Sequence, residues 1–181
     1  MLARETMNKL EREELTKTIE QEDGNFLWKK DTFIEKIQPY LPKSLEIVSL
    51  PPEYENNYNC FVYAFGLEND PEFLGGKNPI QKEFIRYLML WNFLEKDSSL
   101  QKGNVIFYID KDDTITHSGI LVDDQHVISK WMWGPIIKNK IMDVPSSFGD
   151  TYVTYKPVSP EFVKKKYFEY KESGVEIQPI L

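Results

Sequence analysis

One cysteine and one histidine are the residues of this sequence best suited to chemistry. The chain of 181 residues contains a single cysteine, Cys60, and two histidines, His117 and His126. A thiol is a weak nucleophile until it is deprotonated, and a helix N-terminus or a nearby imidazole can lower its pKa. We therefore interpret Cys60 as a candidate nucleophile whose base is one of the two histidines.

His117 is the better candidate for the base. It lies in an apolar segment and is flanked by the small residues Thr116, Ser118 and Gly119, which leave room for a thiol and a substrate. His126 begins the next predicted strand directly after a polar turn, so we expect its side chain to be exposed. The sequence therefore predicts a Cys60–His117 pair as the functional centre.

A short helix is predicted to carry Cys60 at its N-terminal end. The apolar residues 60–67 follow a polar turn, and Asn59 can cap a helix that begins at or just after it. Gly66 then lies near the C-terminal end of this helix. The partial positive charge of the helix N-terminus would stabilise a Cys60 thiolate.

The remaining pattern predicts helices in the first half of the chain and strands in the second. Short polar turns separate the strands, which favours an antiparallel sheet and an α+β fold with the cysteine-bearing helix packed on it. Further helices are predicted at 3–21, from the N-cap Asp31 through Ile37, at 80–95 and at 160–171, and strands at 104–110, 116–122, 126–131 and 151–157.

Three segments are predicted within one domain: an N-terminal helical arm (1–45), an α+β core (46–158), and a C-terminal helix and tail (159–181). The arm helix is highly charged, and Met7, Leu10 and Leu15 give it only a thin apolar stripe. Such a helix packs weakly or serves an interface, so the arm is a candidate surface for a protein partner. Helix 80–95 is apolar on most sides and is expected to be buried.

Composition disfavours several classes of protein. The net charge of −7 and the pI near 5.0 oppose binding to nucleic acids or to acidic membrane surfaces. No run of about 18 apolar residues predicts a membrane span, and no signal-peptide pattern precedes the core, so we expect a cytoplasmic protein or one exported without a signal peptide. One cysteine and two histidines at these spacings predict no metal site, and we expect no cofactor.

Two segments resemble the NlpC-type cysteine peptidases of the papain-like superfamily. Residues 57–67 are similar to the nucleophile helix of that family, and residues 100–131 are similar to its strands. In that family the first strand follows a turn such as Gly103-Asn104, and the second strand carries the base, here His117, followed by a glycine and an apolar run. The resemblance covers roughly residues 57–131.

The chain also resembles a less-studied branch of the same family. In that branch the third strand ends in Ser-Lys-Trp, followed by a glycine, a Val-Pro pair and an aromatic residue before glycine. The matching positions are Ser129-Lys130-Trp131, Gly134, Val144-Pro145 and Phe148-Gly149.

The resemblance implies a papain-like fold and hydrolysis of a peptide or another amide. Cys60 would attack the carbonyl, His117 would carry the proton, and Ser129 would orient the imidazole, with Asn139 as the alternative orienting residue. Such a pair requires the Cys60 sulfur within about 4 Å of a His117 ring nitrogen. The candidate substrate-binding residues are Tyr58, Asn59, Trp131 and Trp133, although the two tryptophans fit a core role equally well.

Two departures from the family pattern support a second interpretation, a binding or interaction module without catalysis. The family has Asp-Cys-Ser-Gly around the nucleophile, whereas this chain has Asn59-Cys60-Phe61-Val62. A serine at position 129 also orients an imidazole less firmly than histidine or asparagine would.

The length of one turn decides which residues share a face with His117. A three-residue loop at 123–125 pairs His117 with Trp131 and places Ser129 on the His117 face. A two-residue loop would instead place Lys130 opposite His117 and turn Ser129 to the other side. The apolar pattern favours the three-residue loop, and we predict that register.

Overall fold

The computed structural model describes residues 6–20 and 29–177. Within this part of the chain it contains five α-helices and one sheet of six antiparallel strands in the order β1-β5-β4-β3-β2-β6, which confirms the α+β prediction. The division of the chain at 1–45, 46–158 and 159–181 stays a prediction.

The bounds of the elements are as follows. The helices are α1 (Lys9–Ile19), α2 (Lys30–Lys36), α3 (Cys60–Ala64), α4 (Lys82–Leu90) and α5 (Pro160–Ser173), with 3₁₀ turns at Gln38–Tyr40, Tyr54–Asn56 and Ser146–Phe148. The strands are β1 (Glu46–Ser49), β2 (Val105–Ile109), β3 (Ile115–Leu121), β4 (His126–Lys130), β5 (Ile136–Lys140) and β6 (Thr151–Tyr155).

One aspartate side chain closes the turn between β3 and β4. The Asp123 carboxylate accepts hydrogen bonds from the backbone N–H groups of Gln125 (2.8 Å) and His126 (2.7 Å). Leu121 therefore pairs with Val127, and the loop is three residues long. The predicted register between these strands is confirmed.

The sheet has two differently covered sides. Val105 and Phe107 of β2 pack in one apolar cluster with side chains of α3, α4 and α5, and we call this side the helix face. Ile106 and Tyr108 point the other way and pack with side chains of α1 and α2, and we call this side the arm face. Both sides of the sheet are therefore buried.

A buried arginine joins helix α1 to the loop beside the arm face. Its N-terminus has a capping box between Asn8 and Glu11. The Arg12 guanidinium donates to the carbonyl oxygens of Val144 (2.9 Å) and Gly149 (2.5 Å). Helix α1 thus fixes the loop that carries the 3₁₀ turn Ser146–Phe148.

The arm differs from its prediction in several details. Met7 and Leu15 are buried as expected, but Leu10 is 71% exposed, so the apolar stripe of α1 does not include it. The N-cap of α2 is Lys29 rather than Asp31, because the helix begins one residue before the aspartate. Both ends of the helix predicted at 3–21 lie outside the described residues.

Helix α4 and strand β5 also depart from expectation. The helix spans only Lys82–Leu90, and Leu90 (57% exposed) and Trp91 (50% exposed) lie at the surface, so the prediction of a helix buried on most sides was wrong. Strand β5 was not predicted, because its last three residues, Lys138-Asn139-Lys140, are polar and give the segment the character of a loop. The predicted Ser159 cap and Pro160 start of α5 are confirmed.

Candidate functional site

Cys60 is the first residue of α3, as predicted. The Asn59 side chain caps the helix by accepting a hydrogen bond from the Val62 N–H (3.1 Å), and its amide nitrogen donates to the Ile80 carbonyl oxygen (2.7 Å). Both polar ends of Asn59 are therefore engaged in positioning α3. The substrate-binding role predicted for Asn59 would compete with these bonds.

The Cys60 thiol is buried against the helix face of the sheet. Only 5% of the residue is exposed, and burial raises the pKa of the thiol to about 11. The Ser118 hydroxyl and nearby backbone N–H groups, including that of Phe61, lower this pKa but do not offset the burial. The Ser118 hydroxyl lies against the thiol without making a hydrogen bond of standard geometry to any described residue.

His117 lies on the arm face, in an aromatic environment. The residue has no exposed surface, and its ring stacks on Phe148 with 3.9 Å between centroids and tilts against Tyr108 at 5.5 Å. Neither ring nitrogen has a hydrogen-bond partner among the described residues. Burial lowers the pKa of His117 to about 3, so the imidazole is neutral at pH 7.

The predicted contact between Cys60 and His117 is not formed. Successive side chains of a strand point to opposite sides of the sheet, and Ser118 is the residue of β3 that approaches Cys60. His117 therefore points away from Cys60, and the expectation of about 4 Å between sulfur and ring nitrogen was wrong. Because β3 is buried on both sides, its apolar pattern did not reveal which residues face the nucleophile helix.

The two candidates for orienting the imidazole share the arm face with His117. A Cβ at Gly119 would lie 2.9 Å from the Ser129 Cβ, which places the Ser129 side chain beside β3 on this face. Asn139 pairs with Val127 on the same side, and its amide donates to the Lys140 carbonyl oxygen (2.7 Å). Ser129 lies on the face of His117 as predicted, yet neither Ser129 nor Asn139 donates to the imidazole.

Lys130 lies near Cys60, although the sequence did not predict it as a functional residue. It is 1% exposed, donates a hydrogen bond to the Gly134 carbonyl oxygen, and lies 4.9 Å from the centroid of the Tyr58 ring. Burial lowers the pKa of Lys130 to about 7, an effect that the neighbouring Cys60 sulfur partly offsets. The signal that could have found it is a lysine inside an otherwise buried strand, where lysine is rare.

The pKa of the Cys60 thiol shows no matching effect of Lys130. The asymmetry has a physical reason, because an amine with a pKa near 7 is already neutral at the pH where this thiol ionises. Burial therefore dominates both groups: the thiol is neutral near pH 7 to 8, whereas the amine is about half neutral at pH 7 and mostly neutral at pH 8.

The remaining predicted binding residues divide between the two faces. Tyr58 lies beside Lys130 on the helix face and is 9% exposed. Trp133 is half-buried, and its carbonyl oxygen accepts a hydrogen bond from the Asn57 amide (2.8 Å). Trp131 is 2% exposed and packs edge-on against Phe148, so it belongs to the core of the arm face.

An open groove of about 400 Å³ runs beside the first turn of α3. Its apolar lining residues include Phe61, Met132 and Phe148, and its more numerous polar ones include Gln81 and Glu83. Neither Cys60 nor His117 lines this groove. The groove therefore adjoins the first turn of α3 through Phe61, and neither residue of the predicted pair is part of its lining.

Across residues 6–20 and 29–177, no group of three or more His, Cys, Asp or Glu side chains is arranged to hold a metal ion. In the same part of the chain, no helix has the length and apolar character needed to cross a membrane.

Comparison with known proteins gives one match. The model of a family described as "Domain of unknown function (DUF7689)" matches residues 51–156, which is more than half of the chain and includes α3 and strands β2 to β6. No curated protein and no solved structure matches the chain. The chain belongs to this DUF7689 family.

Proposed function

We propose that the chain is a non-catalytic binding module with a papain-like, NlpC-type arrangement of helix and sheet. Its ligand would be a peptide or another amide, the class of molecule that the resembled enzymes hydrolyse. The observation that carries this proposal is the placement of Cys60 and His117 on opposite faces of the sheet. A fold of this type without an imidazole at the thiol lacks the usual means of activating it.

The protonation state of Cys60 supports the same proposal. With a pKa of about 11, roughly one thiol in ten thousand is ionised at pH 7. The thiolate is the reactive form, and the partial charge of a five-residue helix does not offset the burial. The thiol of Cys60 therefore has the character of a core residue.

The groove beside α3 is the proposed ligand site. Its lining combines a few apolar side chains with a larger number of polar ones, which suits an amide ligand that both packs and forms hydrogen bonds. Phe61 links the groove to the nucleophile helix, and Phe148 links it to the loop fixed by α1. Substitution of Met132, which is 38% exposed, should weaken ligand binding without unfolding the protein.

Alkylation of the native protein by iodoacetamide across a range of pH tests the proposal. The chain has one cysteine, so incorporated mass reports Cys60 alone. We expect slow alkylation at pH 7 that accelerates only above pH 9, whereas the denatured protein should follow the profile of an ordinary thiol. Fast alkylation of the native protein well below pH 8 would contradict the proposal.

A cysteine hydrolase is the second candidate function. It is favoured by the position of Cys60 at the first residue of a capped helix that packs on a sheet, as in the resembled family. In such an enzyme Lys130, rather than His117, would be the base, because it is the basic residue found near the thiol. Hydrolysis lost in Cys60→Ala and retained in His117→Phe would establish this candidate.

A further inference from the structure

Two aromatic side chains, Tyr54 and Trp133, approach the same glycine at the surface, and we call these residues and Gly76 the aromatic site. A Cβ placed on Gly76 would lie 3.2 Å from the Tyr54 hydroxyl oxygen and 3.9 Å from the Cη2 atom of Trp133. Tyr54 is 69% exposed, and Trp133 is half-buried. Because Gly76 has no side chain, none of its atoms occupies the space beside these two groups.

A buried asparagine holds the aromatic site together. The Asn57 N–H donates to the Tyr54 carbonyl oxygen (3.0 Å), and the Asn57 side-chain amide donates to the Trp133 carbonyl oxygen (2.8 Å). The Asn57 carbonyl oxygen accepts a hydrogen bond from the Gly75 N–H (2.9 Å). Asn57 is only 3% exposed, so these bonds are shielded from water. The backbone of the site is therefore fixed before a partner binds, which lowers the entropic cost of binding.

The two rings of the aromatic site are uncovered. Within residues 6–20 and 29–177, no other aromatic ring and no cation packs against Tyr54 or Trp133. The face of an aromatic ring carries a negative electrostatic potential and attracts cations. Both rings are therefore available to a positively charged group from another molecule.

The charges next to Tyr54 are negative. Glu53 and Glu55 flank it in the sequence and are exposed, and neither forms an ion pair in the described part of the chain. Lys77, which follows the glycines, donates to the Pro71 carbonyl oxygen (3.4 Å) rather than to either carboxylate. The net charge of −7 also favours a cationic partner. The aromatic site thus combines two uncovered rings with two unpaired carboxylates.

We propose that the aromatic site is a docking site for an arginine side chain of a partner protein. A guanidinium is planar, so it can stack on a ring while its N–H groups donate to carboxylates. Tyr54 and Trp133 would provide the ring surfaces, and Glu53 and Glu55 would provide the acceptors. This inference goes beyond the proposed binding function and does not depend on it, because none of these residues lines the groove.

An NMR titration of the isotopically labelled full-length protein with the peptide acetyl-Gly-Arg-Gly-amide tests the proposal. We expect saturable shifts of the Gly76 backbone amide and the Trp133 indole N–H. The matched peptide with citrulline in place of arginine has nearly the same shape without the charge and should bind roughly tenfold more weakly. The absence of saturable shifts, or equal binding of the citrulline peptide, would overturn the proposal.

Substitution of Tyr54 tests the role of its ring. Tyr54→Ala and Tyr54→Leu should each weaken binding of the arginine peptide roughly fivefold, with circular dichroism confirming that at least one variant is folded. Tyr40→Ala is the matched control, because Tyr40 is 70% exposed on another 3₁₀ turn and should not contribute. Unchanged binding in a folded Tyr54 variant, or an equal loss in Tyr40→Ala, would overturn the proposal.

Substitution of the two glutamates tests the contribution of charge. The double variant Glu53→Gln, Glu55→Gln should weaken binding of the arginine peptide roughly threefold at low salt. Glu35→Gln, at an exposed carboxylate of α2, should leave binding unchanged. Undiminished binding in the double variant would contradict the charge complementarity and overturn the proposal.

Discussion

Two neighbouring residues of β3 lie in different surroundings on the two faces of the sheet. Ser118 on the helix face lies beside Cys60, near the buried amine of Lys130. His117 on the arm face lies between aromatic rings, with no partner among the described residues for its nitrogens. The helix face thus brings a thiol, a hydroxyl and an amine together, whereas the arm face isolates an imidazole.

This difference shows that the residue types of a motif are not enough to predict a site. It is also necessary to know which side of the sheet each strand residue faces. A shift of one position along β3 separates a Cys–His pair from the arrangement that the structure contains. The following predictions probe the two faces separately, and each one compares a change on one face with a matched change elsewhere.

The largest expected effect concerns His117 and acid. Its folded pKa of about 3 lies below the usual 6.5, so the unfolded chain takes up a proton as the pH falls below 6.5 while the folded chain does not. The folded state therefore loses stability between pH 6.5 and 3, at up to roughly 1.4 kcal/mol per pH unit. His117→Phe, which retains a ring against Phe148, should remove this contribution.

Urea denaturation at pH 7 and pH 4 measures that effect. The variant should gain roughly 3 kcal/mol over the wild type between these two conditions, on the slope given above. Ser129→Ala, a change on the same face without a titrating group, should leave the pH dependence unaltered. An unchanged slope in His117→Phe would show that His117 is protonated in the folded protein.

The next largest effect concerns the attachment of the arm. Arg12→Ala leaves the carbonyl oxygens of Val144 and Gly149 without their donor and should lower the free energy of unfolding by about 2–3 kcal/mol. Leu10→Ala on the same helix is the matched control, because Leu10 is 71% exposed and should change stability little. Equal losses in both variants, measured by urea denaturation, would contradict the anchoring role of Arg12.

On the helix face, Lys130→Met should stabilise the protein at neutral pH. The folded pKa of Lys130, about 7, lies below the usual 10.5, so the cost of burying the ammonium is full below pH 7 and disappears as the pH rises towards 10.5. We expect a gain of about 1–2 kcal/mol at pH 6.5 that shrinks by pH 10.

Thermal or urea denaturation at these two pH values measures the change. Lys138→Met, at a partly exposed position on β5, should show no comparable gain. A destabilised Lys130→Met at pH 6.5 would indicate that the hydrogen bond to Gly134 outweighs the cost of burial.

The smallest expected effect compares two fully buried serines, Ser118 of β3 and Ser129 of β4, that lie on opposite faces of the sheet. The Ser118 hydroxyl lowers the pKa of Cys60, so Ser118→Ala should slow the alkylation of Cys60 at pH 9 by about threefold. Ser129→Ala, on the other face, should leave the rate unchanged. Equal slowing by both substitutions would contradict the assignment of faces.

Much of the fold could be predicted because its signals are local. The Asn59 cap, the Ser159-Pro160 start of α5 and the three-residue loop before His126 each depend on a few adjacent residues, and the structure contains all three. These features are stabilised by side chains that hydrogen-bond to nearby backbone groups, and the sequence shows which residues can form such bonds.

The composition of the site could not be predicted in the same way. The loop length determines that His117 and Ser129 share a face, but it does not determine which face α3 covers. Apolar residues on both sides of β3 remove the alternation that would distinguish the two. A buried lysine in the third predicted strand was the one indication that the helix face holds a different set of polar groups.

The separation of Cys60 from His117 is tested most directly by the rate at which iodoacetamide alkylates Cys60 in wild type and in His117→Phe between pH 7 and pH 10. An imidazole on the opposite face cannot take the thiol proton, so we expect the same rate at every pH in the two proteins. A wild type that is alkylated rapidly at pH 7, with a loss of tenfold or more in His117→Phe, would contradict it.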